Sequence, residues 1–221
     1  MPDARTLVLL RHGETDWNAE GRAQGHADVP LNALGHAQAS AVARELALLA
    51  PVRLWSSDLV RAVQTAEHLA AATGLPVEKD ARLREYDVGE RSGLTMPEFA
   101  AEFPERYAAW LADTEQHLVP GEETTEQVRA RVVPALTGFL SALEPGQTGI
   151  VVLHGGCLKV GLMELLGWPW HLSGSLRGLD NCGYCMVSES GKTGGLRLTS
   201  YNERAGDPGQ RPDFVADAPV G

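Results

Sequence analysis

The sequence predicts an α/β fold, a three-layer α/β/α domain built on a mostly parallel sheet with an antiparallel edge. Residues 7–10 and 150–153 are unbroken apolar runs of the kind a strand buried on both faces needs, and 52–55, interrupted by Arg53, makes a third strand-like run. Segments with apolar residues at helical spacing separate these runs, which is the alternation that parallel sheets require. The last 45 or so residues instead carry two strand-like runs, 178–187 and 196–201, joined around Gly191 and Gly195 as an antiparallel hairpin. At 221 residues with 43% apolar side chains, one domain spanning 1–221 accounts for the chain, with its core at about 5–202. The remainder, 203–221, is charged and rich in Pro and Gly, and reads as a loosely held tail.

The composition also narrows the partners. With 19 basic against 29 acidic side chains the net charge is −10, so a binder of nucleic-acid backbone is excluded as a reading and any small anion must be drawn in by a local cationic pocket. No apolar stretch has the length of a membrane span, and the N-terminus enters the first strand without a signal-peptide pattern. The expectation is a cytoplasmic enzyme with no membrane partner, monomeric or homodimeric. Three cysteines in a chain of this length make no disulfide framework.

In order along the chain, the first strand stops abruptly at Arg11, His12 and Gly13. Glycine there allows a sharp turn and close backbone approach, so Arg11 and His12 belong at the carboxyl edge of the sheet, where open α/β proteins bind ligands. A cation beside an imidazole suggests an anion site with a nucleophile in it. Residues 20–32, broken by Gly21, Gly25 and Pro30, form a loop lining that site. Helical spacing follows over 36–50, with Pro51 as its stop. The second strand passes through Ser56, Ser57 and Asp58 into a helix that Asp58 can cap, with a core stripe of Leu59, Ala62, Val63, Ala66, Leu69 and Ala70. Arg61 falls off the stripe, near the helix start, where cation and helix N-terminus together make an anion site.

Residues 77–94 begin weakly strand-like and turn loop-like, carrying Glu85 after the apolar Leu83. Residues 97–113 read as one helix whose Phe99, Phe103, Tyr107, Trp110 and Leu111 lay a bulky apolar face over the sheet edge, as a lid or, favoured over a cofactor box, as core packing. After a loop at 114–125, a long helix presents Val128, Val132, Ala135, Leu136, Phe139, Leu140 and Leu143, with a kink expected at Pro134. Strand 150–153 delivers His154, and the glycines 155 and 156 open a helix whose free N–H groups can face an anion. If the three apolar runs are parallel neighbours, Arg11, His12, Arg61 and His154 meet on one edge.

Two weaker patterns carry less. Ser190, Gly191, Lys192 and Thr193 resemble the end of a phosphate loop, but Met186 stands where its first glycine belongs. Cys182 and Cys185 would point to opposite faces of a strand, which suits neither a redox pair nor a chelate, and a zinc site that adds His154 and Cys157 answers no structural need in a domain of this size. No metal and no cofactor is expected.

Taken as a set, LVLLRHGETDWN, SSDLVRAVQTA, LREYDVGERSGLT and VVLHGG, in that order, resemble the histidine phosphatase superfamily, with its phosphoglycerate-mutase-like fold, over about residues 5–202. The resemblance implies that His12 is the phosphorylated nucleophile, that Arg11, Arg61 and His154 hold the phosphoryl group, and that Glu85 is the proton donor. It also implies that Asn18 and Gln24 line the pocket. Phosphoryl transfer needs positioning and charge neutralisation, which two arginines, a histidine and helix-terminal amides such as Gly155 supply without metal. His12 must be neutral to attack, while a protonated His154 would serve better. The compact path from Glu85 to His154 looks like the phosphatase branch, acting on a small phosphate ester of sugar-phosphate or phosphoglycerate type. A cofactor-dependent phosphoglycerate mutase and a non-catalytic phosphate-binding module are the alternatives.

Overall fold

The computed structural model describes residues 4–112, 118–190 and 195–206. Six strands, β1 (Thr6–Arg11), β2 (Arg53–Ser56), β3 (Val77–Lys79), β4 (Thr148–Leu153), β5 (Tyr184–Glu189) and β6 (Leu196–Glu203), form one sheet in the order β3-β2-β4-β1-β5-β6. The first four in that order are mutually parallel, and β5 and β6 add the antiparallel edge. The helices are α1 (Asp16–Ala19), α2 (Ala33–Ala47), α3 (Val60–Thr73), α4 (Met96–Glu102), α5 (Pro104–Leu111), α6 (Thr125–Ser141) and α7 (Gly155–Leu165).

Strand pleating divides the core in two. Leu7, Leu9, Val151 and Leu153 pack with α6 and α7 through Val128, Val132, Leu136 and Leu158, whereas Val8, Leu10, Ile150 and Val152 pack with α2 and α3 through Val42, Leu46, Ala62 and Leu69. Both faces are covered, which is why these runs need no polar positions.

Register places the site. Arg11 of β1 pairs with Leu153 of β4, and Ser56 of β2 pairs with Val152, so one residue further on His12 comes level with His154 and Ser57 with Leu153, beside them at the carboxyl edge. The main chain carries the pairing that far, since His12 N–H donates to Leu153 O and Ser57 N–H to Val152 O.

Several boundaries differ from the sequence reading. Helix α2 starts three residues earlier than expected because Asn32 caps it through Gly35 N–H. Asp58 does not cap α3: the cap residue is Leu59, the Val60 N–H donates to Asp28 across the loop, and Asp58 is held by Arg84. The buried face of α3 takes in Arg61 and Thr65, while Val63 and Ala70 are only half-buried. The single helix expected at 97–113 is two, broken at Phe103 because Pro104 starts the second. Of its aromatic face only Phe99 is buried, while Trp110 and Leu111 are exposed, so the core-packing reading fails there. Helix α6 continues through Pro134, which lies on its exposed side. Residues 178–183 are irregular chain with a turn at Asn181 and Cys182 rather than strand, and β5 begins at Tyr184. Residues 113–117, the hairpin tip at 191–194 with its phosphate-loop-like pattern, and the tail from 207 lie outside the described residues.

One contact locks the first strand end to α2. A Cβ on Gly35 would sit 2.0 Å from Glu14 O and one on Gly13 would sit 2.5 Å from Gly35 O, so two backbones touch where no side chain fits. Gly35→Ala should therefore destabilise the protein by about 2 kcal/mol or more, read as a lower midpoint in urea, because backbone rather than a flexible side chain must move. An unchanged midpoint would mean that the loop has room to yield.

Candidate active site

His12 leaves β1 buried, with its Nδ1 2.7 Å from the carbonyl oxygen of Gly13. A carbonyl only accepts, so Nδ1 carries the hydrogen and Nε2 keeps its lone pair. The turn beneath is fixed from α3, since Gly13 N–H donates to Thr65 Oγ1, whose hydroxyl donates to Arg61 O. Burial first, then the charges of Arg61 and Arg11, hold the His12 imidazole well below its ordinary range.

The His154 ring lies 5.1 Å from that of His12, centroid to centroid. Arg61 Nε–H donates to His154 Nδ1 at 3.2 Å, and His154 Nε2 lies 2.9 Å from Ser57 Oγ. Because a guanidinium has no acceptor, His154 Nδ1 must carry the lone pair and Nε2 the hydrogen. His154 is thus a neutral donor, contrary to the expectation of a cation, and burial together with the Arg61 charge keeps it well below the ordinary imidazole range.

Arg61 is buried, as the anion-site argument requires and a solvated helix face does not. Besides His154 it donates to Gly25 O at 2.8 Å and Ala27 O at 2.7 Å, so it also anchors the loop 20–32. Three of its five N–H groups are engaged in this way, which leaves two for a ligand. Burial lowers its pKa to about 10, and it remains a cation at neutral pH. Arg11 donates through Nη1 to Leu179 O at 2.5 Å, while its buried Nε has no partner among the described residues. A Cβ placed on Gly155 would stand 3.6 Å from that Nε, an ordinary contact distance, so the guanidinium lies against the start of α7.

Glu85 occupies the N-terminus of α7. Its Oε1 accepts Tyr86 N–H and Cys157 N–H, and its Oε2 accepts Gly156 N–H, all at 2.9–3.0 Å. The glycine pair therefore does not offer both amides to a ligand as expected: Glu85 takes Gly156, leaving Gly155. A Cβ on Gly156 would lie 2.6 Å from Glu85 Oε1, so this residue must be glycine for the carboxylate to dock. Oε1 accepts two N–H groups and Oε2 one, so Oε2 keeps an open lone pair on which a proton can ride.

Asn18 and Gln24 close the set. Asn18 Oδ1 accepts Thr15 N–H, the Thr15 hydroxyl and Asn181 Nδ2, which turns its own Nδ2 outward as a donor. Gln24 is buried, and its Oε1 has no partner among the described residues. Sequence reasoning missed Asn181, which also donates to His12 O, and the Ser57 and Thr65 contacts. These come from strand ends and a helix face that only the fold brings to His12.

A family model described as the histidine phosphatase superfamily, branch 1, matches residues 7–203. The chain belongs to that superfamily. Glucosyl-3-phosphoglycerate phosphatase of Mycobacterium tuberculosis (strain H37Rv) is 37% identical over 197 residues, covering 84% of this chain and 86% of that protein. A probable phosphoglycerate mutase of Salmonella paratyphi C is also 37% identical, over 176 residues, covering 80% and 81%. Among solved structures, a mycobacterial glucosyl-3-phosphoglycerate phosphatase in complex with VO3 is similar at TM-score 0.80 and 36% identity, covering 90% of this chain and 98% of that one.

In this histidine phosphatase, no group of three or more His, Cys, Asp or Glu side chains among the described residues is arranged to hold a metal ion. Cys185 lies in the core on the α6/α7 side and Cys182 in the core on the α2/α3 side, on opposite faces of the sheet.

The two depressed imidazoles make stability depend on pH. Unfolded histidines protonate below their ordinary value of 6.5, while folded His12 and His154 stay neutral, so stability is fully present above that pH. It is lost as pH falls from there toward the folded values, by up to about 1.4 kcal/mol per pH unit for each group. Urea denaturation between pH 7.5 and 5 should show this slope, and His154→Asn should make it shallower. Equal slopes in the two proteins would place His154 in a protonated state.

Proposed function

We propose that the protein is a phosphatase that moves a phosphoryl group from a small phosphorylated metabolite to His12 and then to water. The observation that carries this is the tautomer pair: His12 Nε2 holds a lone pair in a pocket where the His154 ring faces it and where Arg11 Nε has no partner among the described residues. Nε2 attacks phosphorus and the ester P–O bond breaks, while Glu85 Oε2 gives its proton to the departing oxygen. Water then attacks the phosphohistidine, its proton returns to Glu85, and the P–N bond breaks to release phosphate and free His12.

The equatorial oxygens are met by Arg11 Nε, the Gly155 N–H, the two remaining N–H groups of Arg61, and the amides of Asn18 and Gln24. His154 contributes no charge: its Nε2–H is donated to Ser57 Oγ, whose hydroxyl hydrogen is then free to meet a phosphoryl oxygen. With this donor set the phosphoryl charge is answered by side chains, and activity should survive exhaustive chelation. Loss with EDTA and recovery with a divalent metal would overturn that part of the reading.

The names of the relatives support a phosphorylated sugar or glycerate substrate. That one relative at 37% identity is named a probable phosphoglycerate mutase keeps isomerisation as the second reading. We take the enzyme as cytoplasmic and, given its net charge of −10, without a nucleic-acid partner. Phosphate release should be measured over glucosyl-3-phosphoglycerate, phosphoglycerates and sugar phosphates, beside a 3-phosphoglycerate isomerisation assay. Multi-turnover release from at least one ester is expected. Isomerisation with negligible release would replace the phosphatase by the mutase, and no turnover of any ester would leave a binding module.

A further inference from the structure

Among the described residues, Glu85 stands in a stretch with no strand neighbour. It follows a single 3-10 turn (Ala81–Leu83), and the next main-chain pairing comes at Asp87, whose O accepts Glu123 N–H where Val88 bridges to Glu122. Its backbone position must therefore be set by side chains. The guanidinium of Arg131, from α6, accounts for it. Nη1 donates to Arg82 O at 2.9 Å and Arg84 O at 2.6 Å, and Nη2 donates to Glu85 O at 2.8 Å. Three carbonyls thus converge on one planar cation.

The other edge of the same guanidinium is fixed by Glu123, through Nε at 3.0 Å and Nη2 at 2.7 Å. Glu123 in turn accepts Asp87 N–H at 2.8 Å and donates its own N–H to Asp87 O, so the clamp grips both sides of Glu85. His26 Nε2, 2.9 Å from Glu85 O, is a second donor to that carbonyl from the loop carrying Gln24.

Helix α6 is also the neighbour of α7. Leu136 and Val132 approach Gly161 so closely that a Cβ there would lie 2.4 Å from Leu136 Cδ1. The helix that holds the Glu85 main chain is therefore packed rigidly on the helix whose first-turn amides hold its carboxylate. With backbone and side chain fixed to one body, Oε2 has a defined direction.

We propose that Arg131 is the positioning residue of the general acid: it sets the backbone from which Glu85 reaches the α7 N-terminus and presents Oε2 to the leaving oxygen. This rests on the reading of Glu85 as proton donor. Lysine cannot replace it fully, because an ammonium is a point donor and does not span three carbonyls and a carboxylate in one plane.

The test uses the full chain with Glu85→Gln, Arg131→Met and Arg131→Lys, and compares single-turnover phosphoryl transfer from 4-nitrophenyl phosphate, whose leaving group needs no proton, with that from an alkyl phosphate. Glu85→Gln should lose roughly 10²–10⁴-fold on the alkyl ester and far less on the aryl ester. Arg131→Met should show the same selectivity at roughly 10–10²-fold on the alkyl ester, Arg131→Lys an intermediate loss, and dilute guanidinium salt should restore part of the alkyl rate to Arg131→Met. If Arg131→Met does not fold, Arg131→Lys carries the comparison. Equal losses on both esters in the Arg131 variants, with Glu85→Gln still selective, would reduce Arg131 to a structural ion pair and overturn the proposal. Equal losses in Glu85→Gln would instead overturn the reading of Glu85 itself.

Discussion

Brief mixing of the enzyme with labelled substrate and a denaturing quench should leave phosphate on the protein as an acid-labile, base-stable phosphoramidate within the peptide that contains residues 11–18. The expectation follows from the His12 tautomer, because Gly13 O holds the hydrogen on Nδ1 and leaves Nε2 as the attacking atom. His12→Asn should abolish both label and turnover, a loss of at least ~10⁵-fold if the covalent route is the only one. His154→Asn should differ in kind. It removes a neutral donor and the acceptor for Arg61 Nε, so labelling should slow while any phosphate that attaches still maps to His12. Label on His154 would exchange the roles of the two rings. Absence of label in a rapid-quench series, from a substrate that is turned over, would mean direct attack by water.

Arg61 should give the second large effect. Its guanidinium fixes the His154 tautomer, ties down the 20–32 loop through Gly25 O and Ala27 O, and retains two N–H groups for the phosphoryl oxygens. Arg61→Met removes all three functions, and kcat/KM should fall by roughly 10³-fold or more, about 4 kcal/mol of lost transition-state binding. Arg61→Lys should recover little, since an ammonium cannot donate to His154, two carbonyls and a ligand together. Faster hydrogen exchange over residues 22–28 should accompany both variants, because the loop loses its anchor. A lysine variant within tenfold of the parent would mean that only the charge of Arg61 matters.

The organising stretch was legible because its signals are local. Leu7–Leu10 could be buried on both faces only as a central strand, and Arg11, His12 and Gly13 then had to lie at its carboxyl end. The same logic read His154 from the run before it. Arg61 was legible only in part: apolar periodicity put it off the buried stripe of α3, because a hydrophobicity pattern does not count a buried cation or Thr65 as core. The aromatic residues from Phe99 to Trp110 failed in the opposite sense, being apolar at helical spacing yet broken by Pro104 and mostly outside the core.

By itself the sequence determined the fold class and the family resemblance, and it singled out His12, His154, Arg11, Arg61 and, through that resemblance, Glu85 as a candidate set. Each of these rests on patterns within a dozen neighbouring residues. Tertiary structure alone decided their states. That His154 is a neutral donor depends on Arg61 facing its Nδ1 from a helix 93 residues earlier, and that Glu85 takes the α7 amides depends on Arg131 gripping its carbonyl from α6. Protonation and hydrogen-bond direction are set by which groups lie within about 3 Å in space and by how much water is excluded. Neither distance nor burial is encoded in any short stretch of chain; both arise when the parallel strands bring their ends to one edge of the sheet.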